Sequence, residues 1–252
     1  MITAIKIVFL LGMLILIHEM GHFITAKKLG VIVNEFAIGF GPKIFTKIKN
    51  GTTYELRLIP LGGFVSLEGE EEHSEKEGSF NKAKNIDKFK IIIAGAMVNI
   101  LFGIIILILL FQIRYMIVIN SNFTEALKYS LATTGSILSE FFRSIISIFS
   151  GRLDIKNITG PIGISEMVSK TNGISEFIYL LSIVSISLGF TNLLPILPLD
   201  GGKALLIIIE SIRKKPFSKK TEEYIGTVGL LIIMTLSIIC TVNDIIRIFG
   251  KS

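Results

Sequence analysis

The sequence predicts an α-helical polytopic membrane protein with about four transmembrane helices, a membrane-associated β-hairpin insert and an interfacial amphipathic helix. Half of the 252 residues are hydrophobic, only 18% are charged, and the mean hydropathy is +0.68, which is too apolar for an ordinary soluble domain. Four apolar stretches are long enough to span a bilayer, at residues 5–26, 91–111, 174–197 and 225–248. We therefore interpret residues 1–252 as a single membrane-embedded domain.

The charged residues and the single cysteine exclude several classes of protein. The net charge of +6 comes from Lys and Arg that lie beside the apolar spans and not on one soluble face, so we expect no nucleic-acid partner. Cys240 is the only cysteine, which excludes an intramolecular disulfide and a cysteine-based metal cluster. Lys6 precedes an apolar run as in a signal peptide, but no A-x-A-like cleavage site follows, and we expect this segment to be retained.

A fifth apolar stretch, within residues 124–150, has the pattern of a helix that lies on the membrane surface. Leu138 and Phe141 fall on one face of this helix, whereas Glu140 and Arg143 fall on the other. If the stretch does not cross, the first and third spans run in the same direction and their C-terminal ends share a side of the bilayer. If it crosses, those ends lie on opposite sides.

Residues 32–67 have the pattern of a β-rich insert between the first two spans. Asn50-Gly51 is a type I′ turn signal, and the residues that follow it alternate between apolar and polar. The glycine-rich segments at residues 39–42 and 60–65 are apolar enough to dip into the membrane where protein covers their backbone. The sequence therefore predicts a membrane-associated hairpin.

The segment His18-Glu19-Met20-Gly21-His22 directly continues the first apolar run. On a helix, residues four apart share a face, so both imidazoles can bind one cation, and Glu19 can reach a water molecule on that cation. This spacing is typical of zinc metalloproteases. An ionisable residue within a membrane span is costly, which favours a functional role over two unrelated histidines.

Two imidazoles need at least one further ligand, and the acidic candidates are Glu35, Glu166 and Asp200. We interpret Glu35 as a surface carboxylate on a strand and place Glu166 on the outer side. Asp200 follows two prolines that interrupt the third span, so it can lie at the depth of His22. A helix cap at the membrane edge is the alternative interpretation of Asp200. Two imidazoles and a carboxylate favour Zn²⁺.

The distribution of Lys and Arg predicts the orientation in the cell membrane. Eleven lie in residues 27–90 and six in the short segment 199–224, whereas the longer segment 113–173 carries only six. The positive-inside rule places the first two segments in the cytoplasm. We therefore expect the metal site toward the cytoplasmic side and both termini outside.

Taken together, the motifs resemble the site-2 protease family of intramembrane zinc metalloproteases, in its bacterial branch of RIP metalloproteases that cleave anti-sigma factors. The matching segments span almost the whole chain in the order of the family: residues 18–22, 39–42, 60–65, 79–81, 94–99, 160–163 and 192–202. The resemblance implies regulated intramembrane proteolysis of membrane-spanning protein or peptide substrates, such as anti-sigma factors or remnant signal peptides.

The resemblance also implies roles for individual residues. It implies that His18, His22 and Asp200 bind Zn²⁺ and that Glu19 is the catalytic base. It further implies that the β insert pairs with the substrate as an added strand. The implied substrate contacts are Asn192, Gly62, Gly63 and Phe64.

The chain departs from this branch because we expect no PDZ domain. About a dozen residues separate the second span from the amphipathic helix, whereas a domain needs roughly 50 or more. We hypothesise that the amphipathic helix and the Gly160-Pro161 segment act as the outer barrier, or that access to the site is less restricted.

Two functions from different classes agree with these residues. The first is an intramembrane zinc endopeptidase that hydrolyses a bond in a transmembrane segment. The second is a non-catalytic membrane protein that binds or transports a metal ion. A transporter is expected to show inverted repeats and polar groups along several helices, whereas the polar residues here concentrate at one depth.

Overall fold

The computed structural model describes residues 2–70, 72–150 and 159–249. Within these ranges the chain forms seven α-helices and two β-strands. They are α1 (Ile2–Lys28), β1 (Val33–Lys49), β2 (Thr52–Leu67), α2 (Asn85–Ile119), α3 (Phe123–Phe149), α4 (Pro161–Ser169), α5 (Ile174–Asn192), α6 (Asp200–Arg213) and α7 (Lys219–Phe249).

The predicted fold class is confirmed, because α1, α2, α5 and α7 are long and apolar enough to cross a membrane. Three of these helices, α1, α2 and α7, extend beyond the predicted apolar spans, because the turns that flank each span are also helical. The exception is α5, which ends at Asn192 and not at residue 197. Pro195 and Pro198 follow, and proline lacks the N–H that would continue the helix.

The amphipathic segment forms the single helix α3, which is not among the described helices apolar enough to span. Two further helices were not predicted. They are α4 and α6, and the second lies in a segment that its charge suggested was a loop. Its apolar residues Ala204 and Ile207 are buried against Ile92 of α2, and this packing stabilises a helix.

The chain divides into two compact units. The first comprises Met1–Ile100 and Leu188–Leu230, and the second comprises Leu101–Ser187 and Leu231–Ser252. In the second unit, the backbone N–H of Gly163, in the first turn of α4, donates to the buried Asp244 carboxylate at 2.7 Å. Arg247 pairs with the same carboxylate at 3.2 Å.

In the first unit, the two strands form a sheet that folds back on itself. Asn50 and Gly51 have φ of 50° and 74°, as the predicted type I′ turn requires. Residues 33–38 of β1 pair with residues 63–67 of β2 on one side, and residues 35–38 also pair with residues 53–56 of β2 on the other. Residues 63–67 therefore form an edge of the sheet.

One face of this sheet packs on α1 through aromatic side chains. The ring of Phe23 on α1 lies 5.0 Å from that of Phe36 and 5.9 Å from that of Tyr54, measured between centroids. Phe36 is buried and the other two rings are half-buried, and aromatic contacts of this kind contribute much of the energy of such packing. The packing fixes the sheet beside the half of α1 that carries the histidine motif.

Candidate active site

Both histidines of the first motif point to the same side of α1. Their positions, four residues apart, bring the Nε2 atoms of His18 and His22 to 3.2 Å from each other. Their ring planes are nearly perpendicular, at 79°. One face of a helix thus presents two imidazole nitrogens to the same small space, as the spacing predicts.

Asp200, the first residue of α6, completes this cluster. Its Oδ2 atom lies 3.1 Å from Nε2 of His18 and 3.4 Å from Nε2 of His22. Gly201 and Gly202 explain why the helix can begin here. A Cβ atom at Gly201 would lie 2.2 Å from the Leu193 carbonyl oxygen, and one at Gly202 would lie 2.4 Å from the Leu197 nitrogen. The Asp-Gly-Gly sequence therefore lets α6 start against the turn that follows α5.

The three atoms fit a zinc ion. They form a triangle with sides of 3.1, 3.2 and 3.4 Å, and the ligand atoms of tetrahedral zinc, each about 2.0–2.1 Å from the metal, are about 3.3 Å apart. Two imidazoles and one carboxylate are also the donor set of catalytic zinc sites, in which a fourth position stays open. Among the described residues, His18, His22 and Asp200 form the group of potential metal-binding side chains whose ligand atoms lie close together.

Two groups on α2 orient the imidazoles. The Ile91 carbonyl oxygen accepts a hydrogen bond from Nδ1 of His22 at 2.8 Å, and the Asn99 amide lies 3.5 Å from Nδ1 of His18. The Asn99 atom that faces this ring nitrogen is Nδ2, and rotation of the amide group by half a turn would present its oxygen to a proton on Nδ1. Such partners fix which ring nitrogen is available to a metal. Asn99 is the only strongly polar residue of the predicted span 91–111, and this is the signal that the sequence offers for the role.

Close helix contact behind the histidines depends on two glycines. A Cβ atom at Gly95 of α2 would lie 2.3 Å from Nε2 of His22, and one at Gly21 of α1 would lie 2.6 Å from the Ala94 carbonyl oxygen. Small residues allow membrane helices to approach this closely. Gly95 was not predicted as a site residue, although the Ala-Gly-Ala sequence around it was a signal for a close crossing.

Glu19 lies next to the same cluster and beside the edge strand. The backbone N–H of Val65 donates a hydrogen bond to its carboxylate. A Cβ atom at Gly63 would lie 3.5 Å from Cγ of Glu19, an ordinary contact distance, so this strand lies directly beside the Glu19 side chain. Glu19 therefore sits between the imidazole pair and the free edge of the sheet.

These groups open into a cavity of about 1060 Å³. Its lining includes His18, Glu19, His22, Asp200 and the edge-strand residues from Phe64 to Leu67. Of the other implied substrate contacts, Gly62 packs against the Phe40 ring and Asn192 is the last residue of α5. Among the described residues that line the cavity, Phe64 is present, whereas Gly62, Gly63 and Asn192 are not.

The acidic residues that we excluded have other partners. Glu35 pairs with Arg57 at 2.8 Å, and Glu166 pairs with Arg247 at 3.7 Å. The third histidine, His73, contacts Glu75 at 3.0 Å in an exposed loop. None of the three contributes a ligand atom to the His18 cluster.

The fold and the site define a class of protein: a multi-pass membrane protein in which two histidines and one carboxylate meet with the spacing of catalytic zinc ligands. The sequence model of Peptidase family M50 matches residues 6–236, and the chain belongs to this family. It is a zinc-dependent metalloprotease, and the predicted resemblance to site-2 proteases is confirmed.

Individual relatives agree with this assignment. The chain is 26% identical to the "Putative zinc metalloprotease FN1322" of Fusobacterium nucleatum, over 98% of this chain and 100% of the relative. It is 27% identical to the "Putative zinc metalloprotease CPE1693" of Clostridium perfringens, over 92% and 95%. It is 23% identical to the "Zinc metalloprotease RasP" of Bacillus licheniformis, over 98% and 99%. The last alignment runs over 417 positions, so that relative carries segments that this chain of 252 residues lacks.

Proposed function

We propose that this metalloprotease is an intramembrane endopeptidase that cleaves the transmembrane segments of membrane proteins. The observation that carries the proposal is the position of His18, Glu19 and His22 on α1, a helix apolar enough to span a membrane. The side chains of His18 and Asp200 are only 12% and 17% exposed. This position of the cluster supports a substrate whose peptide bond lies at membrane depth, as in a transmembrane segment.

In this proposal His18, His22 and Asp200 hold the zinc ion. Bound there, zinc lowers the pKa of water to about 7 and polarises the carbonyl group of the substrate. Glu19 accepts a proton from the attacking water and passes it to the leaving amine nitrogen as the peptide bond breaks. Asn99 and the Ile91 carbonyl group keep the imidazoles in the required orientation.

The edge strand offers a means to hold the substrate in an extended form. A peptide bond in a helix is shielded by its own hydrogen bonds, so a transmembrane helix must unwind before hydrolysis. Residues 63–67 pair with β1 on one side, and within the described residues their other side has no strand partner. Addition of the substrate as a strand here places its backbone beside Glu19, with Phe64 on the cavity wall.

We further propose that the site faces the cytoplasmic side of the cell membrane and that both termini lie outside. The Lys- and Arg-rich segments next to α1 and α6 support this orientation through the positive-inside rule. Among substrates with this geometry, membrane-bound anti-sigma factors and remnant signal peptides have cleavable spans of the right kind, as the site-2 protease resemblance implies.

The variant Glu19→Gln tests the proposal. It should lose cleavage while it keeps one zinc per chain, because the amide cannot accept the proton but none of the three proposed ligands has changed. Membranes from cells that express the wild type or Glu19→Gln are compared by labelling of new protein termini and mass spectrometry. We expect termini that map within transmembrane spans and occur only with the wild type.

Two outcomes would overturn this account. Cleavage that persists in Glu19→Gln would show that another group is the base. Zinc bound normally by the wild type, with no span cleaved in any membrane protein, would instead favour metal binding or transport.

A further inference from the structure

The sheet face opposite the aromatic contact with α1 carries an unusual set of charged side chains. Arg57 donates from Nε and Nη2 to Oε2 of Glu55 at 3.0 and 2.8 Å, and from Nη2 to Glu35 at 2.8 Å. Lys43 also contacts Glu55. The Glu55 side chain is fully buried, whereas that of Lys43 is 55% exposed, so the group is a network of two cations and two anions around a buried carboxylate.

The guanidinium group of Arg57 also stacks on Phe64, with 5.0 Å between Cζ and the ring centroid. The strand register explains how it reaches that ring. Ala37 pairs with Glu55 on one side and with Phe64 on the other, and paired residues point to the same face of a sheet. Because Ala37 is small, the arginine can extend across it from one outer strand to the other.

Phe64 belongs to the edge strand and lines the cavity with Glu19. Its neighbours in the strand, Gly63 and Val65, are the residues in contact with Glu19. A group that fixes the Phe64 ring therefore also fixes the strand that meets the substrate. The planar guanidinium group suits this task, because it can stack on a ring while its N–H groups pair with carboxylates.

We infer that Arg57 is a positioning residue for the protease reaction: held by Glu35 and Glu55, it fixes Phe64 and thereby the substrate-binding edge of the sheet. This inference rests on the proposed addition of the substrate as a strand. None of the four residues of the ion network belongs to the metal cluster. The role inferred for the network therefore concerns the binding of substrate and not the binding of zinc.

The first test is independent of any substrate. The chain contains no Trp, so Phe64→Trp introduces a single tryptophan, whose indole can be excited selectively, at the proposed site. In the zinc-loaded full chain, we expect acrylamide quenching of this indole to rise at least about twofold when Arg57→Met is added. Arg57→Lys, which keeps the positive charge but lacks the planar guanidinium group, should give an intermediate degree of quenching. Lys47→Met, at an exposed lysine of the same hairpin, is the control and should change nothing.

The second test uses the transmembrane peptide that the terminal-labelling experiment identifies. Arg57→Met should raise KM about tenfold, since a stacked cation is worth a factor of about five to thirty, and should change kcat less than threefold. Zinc content should stay at the wild-type level. If Arg57 acts through Phe64, the double variant Arg57→Met/Phe64→Leu should be no worse than Phe64→Leu alone.

Three results would overturn the inference. The first is equal quenching with Arg57 and with Met at that position. The second is quenching that rises with Arg57→Met while KM stays unchanged. The third is a KM of the double variant that is raised by the product of the two single effects. If the wild type cleaves no transmembrane peptide, the proposed function fails, and the quenching measurement still decides whether Arg57 fixes residue 64.

Discussion

Gly95 shows how closely the helices must approach around the proposed zinc ligands. Its Cα atom faces both imidazoles, and a Cβ atom there would lie 2.3 Å from Nε2 of His22 and 2.8 Å from Cε1 of His18. These distances are too short for any non-bonded contact. Either the histidines or the α2 backbone would have to move. The histidines are proposed zinc ligands, and the α2 backbone carries the Ile91 carbonyl oxygen that accepts from His22.

We therefore predict that Gly95→Ala weakens zinc binding by at least about tenfold, the lower range for loss of a group that orients metal ligands. Competition between the purified protein and a chelator of known affinity measures this change. Gly226→Ala is the matched control, because a Cβ atom at Gly226 meets nothing within 4 Å. Equal zinc affinity of Gly95→Ala and the wild type would mean that the imidazoles do not bind where the structure places them.

At this scale the sequence predicts some site residues and not others. His18, Glu19 and His22 lie within one turn of a helix, so local spacing is enough to bring them together. Asn99 and Gly95 contact the same imidazoles from α2, and only the crossing of two helices makes them neighbours. A single polar residue or glycine in an apolar span has many possible explanations until that crossing is known.

At the scale of single elements, the hairpin holds an ion network around the buried Glu55 carboxylate. Burial of the Glu55 carboxyl opposes ionisation, but hydrogen bonds from Lys43 and Arg57 outweigh it and hold the pKa at about 2, below the ordinary 4.5. A lowered folded-state pKa means that ionised Glu55 stabilises the fold above about pH 4.5. This stabilisation declines as the pH falls from 4.5 towards 2.

We predict that Glu55→Gln speeds hydrogen exchange in β1 and β2 at neutral pH, because the amide cannot pair with both cations. The difference from the wild type should shrink as the pH falls below 4.5, and it should be small near pH 2. Mass spectrometry of the hairpin peptides, with both proteins at the same pH, measures it. Glu77→Gln, at an exposed residue outside the hairpin, is the control.

A difference that stays constant over this pH range would contradict the assignment of the effect to the Glu55 charge. An increase toward low pH would contradict the sign of the pKa change.

Elements differ in how far their sequences predict them. Hydropathy predicts the four spans, and Asn50-Gly51 predicts the hairpin turn. The helix α6 was not predicted because its basic residues and paired glycines are equally typical of a loop, and its burial on Ile92 is a tertiary effect. The contact of Arg57 with Phe64 was not predicted because it requires both parts of β2 to pair with the same segment of β1.

At the scale of the whole molecule, the proposed metal site brings together the two segments of the first unit, which are far apart in the sequence. His18 and His22 belong to α1, whereas Asp200 begins α6, more than 170 residues later. The prediction of this pairing rested on topology, because treating residues 124–150 as a surface helix places the ends of the first and third spans on one side. The family resemblance implied the same ligand.

The assignment of Asp200 as the third zinc ligand depends on this long-range contact. X-ray absorption at the zinc edge tests the assignment directly. The wild type should show two imidazoles and only nitrogen or oxygen neighbours, at about 2.0–2.1 Å. In the zinc-loaded variant Asp200→Cys, we predict one sulfur neighbour at about 2.3 Å. Cys240 is present in both proteins, so the wild type serves as the control for adventitious thiolate binding. A spectrum of Asp200→Cys that shows zinc bound with no sulfur neighbour would contradict the account.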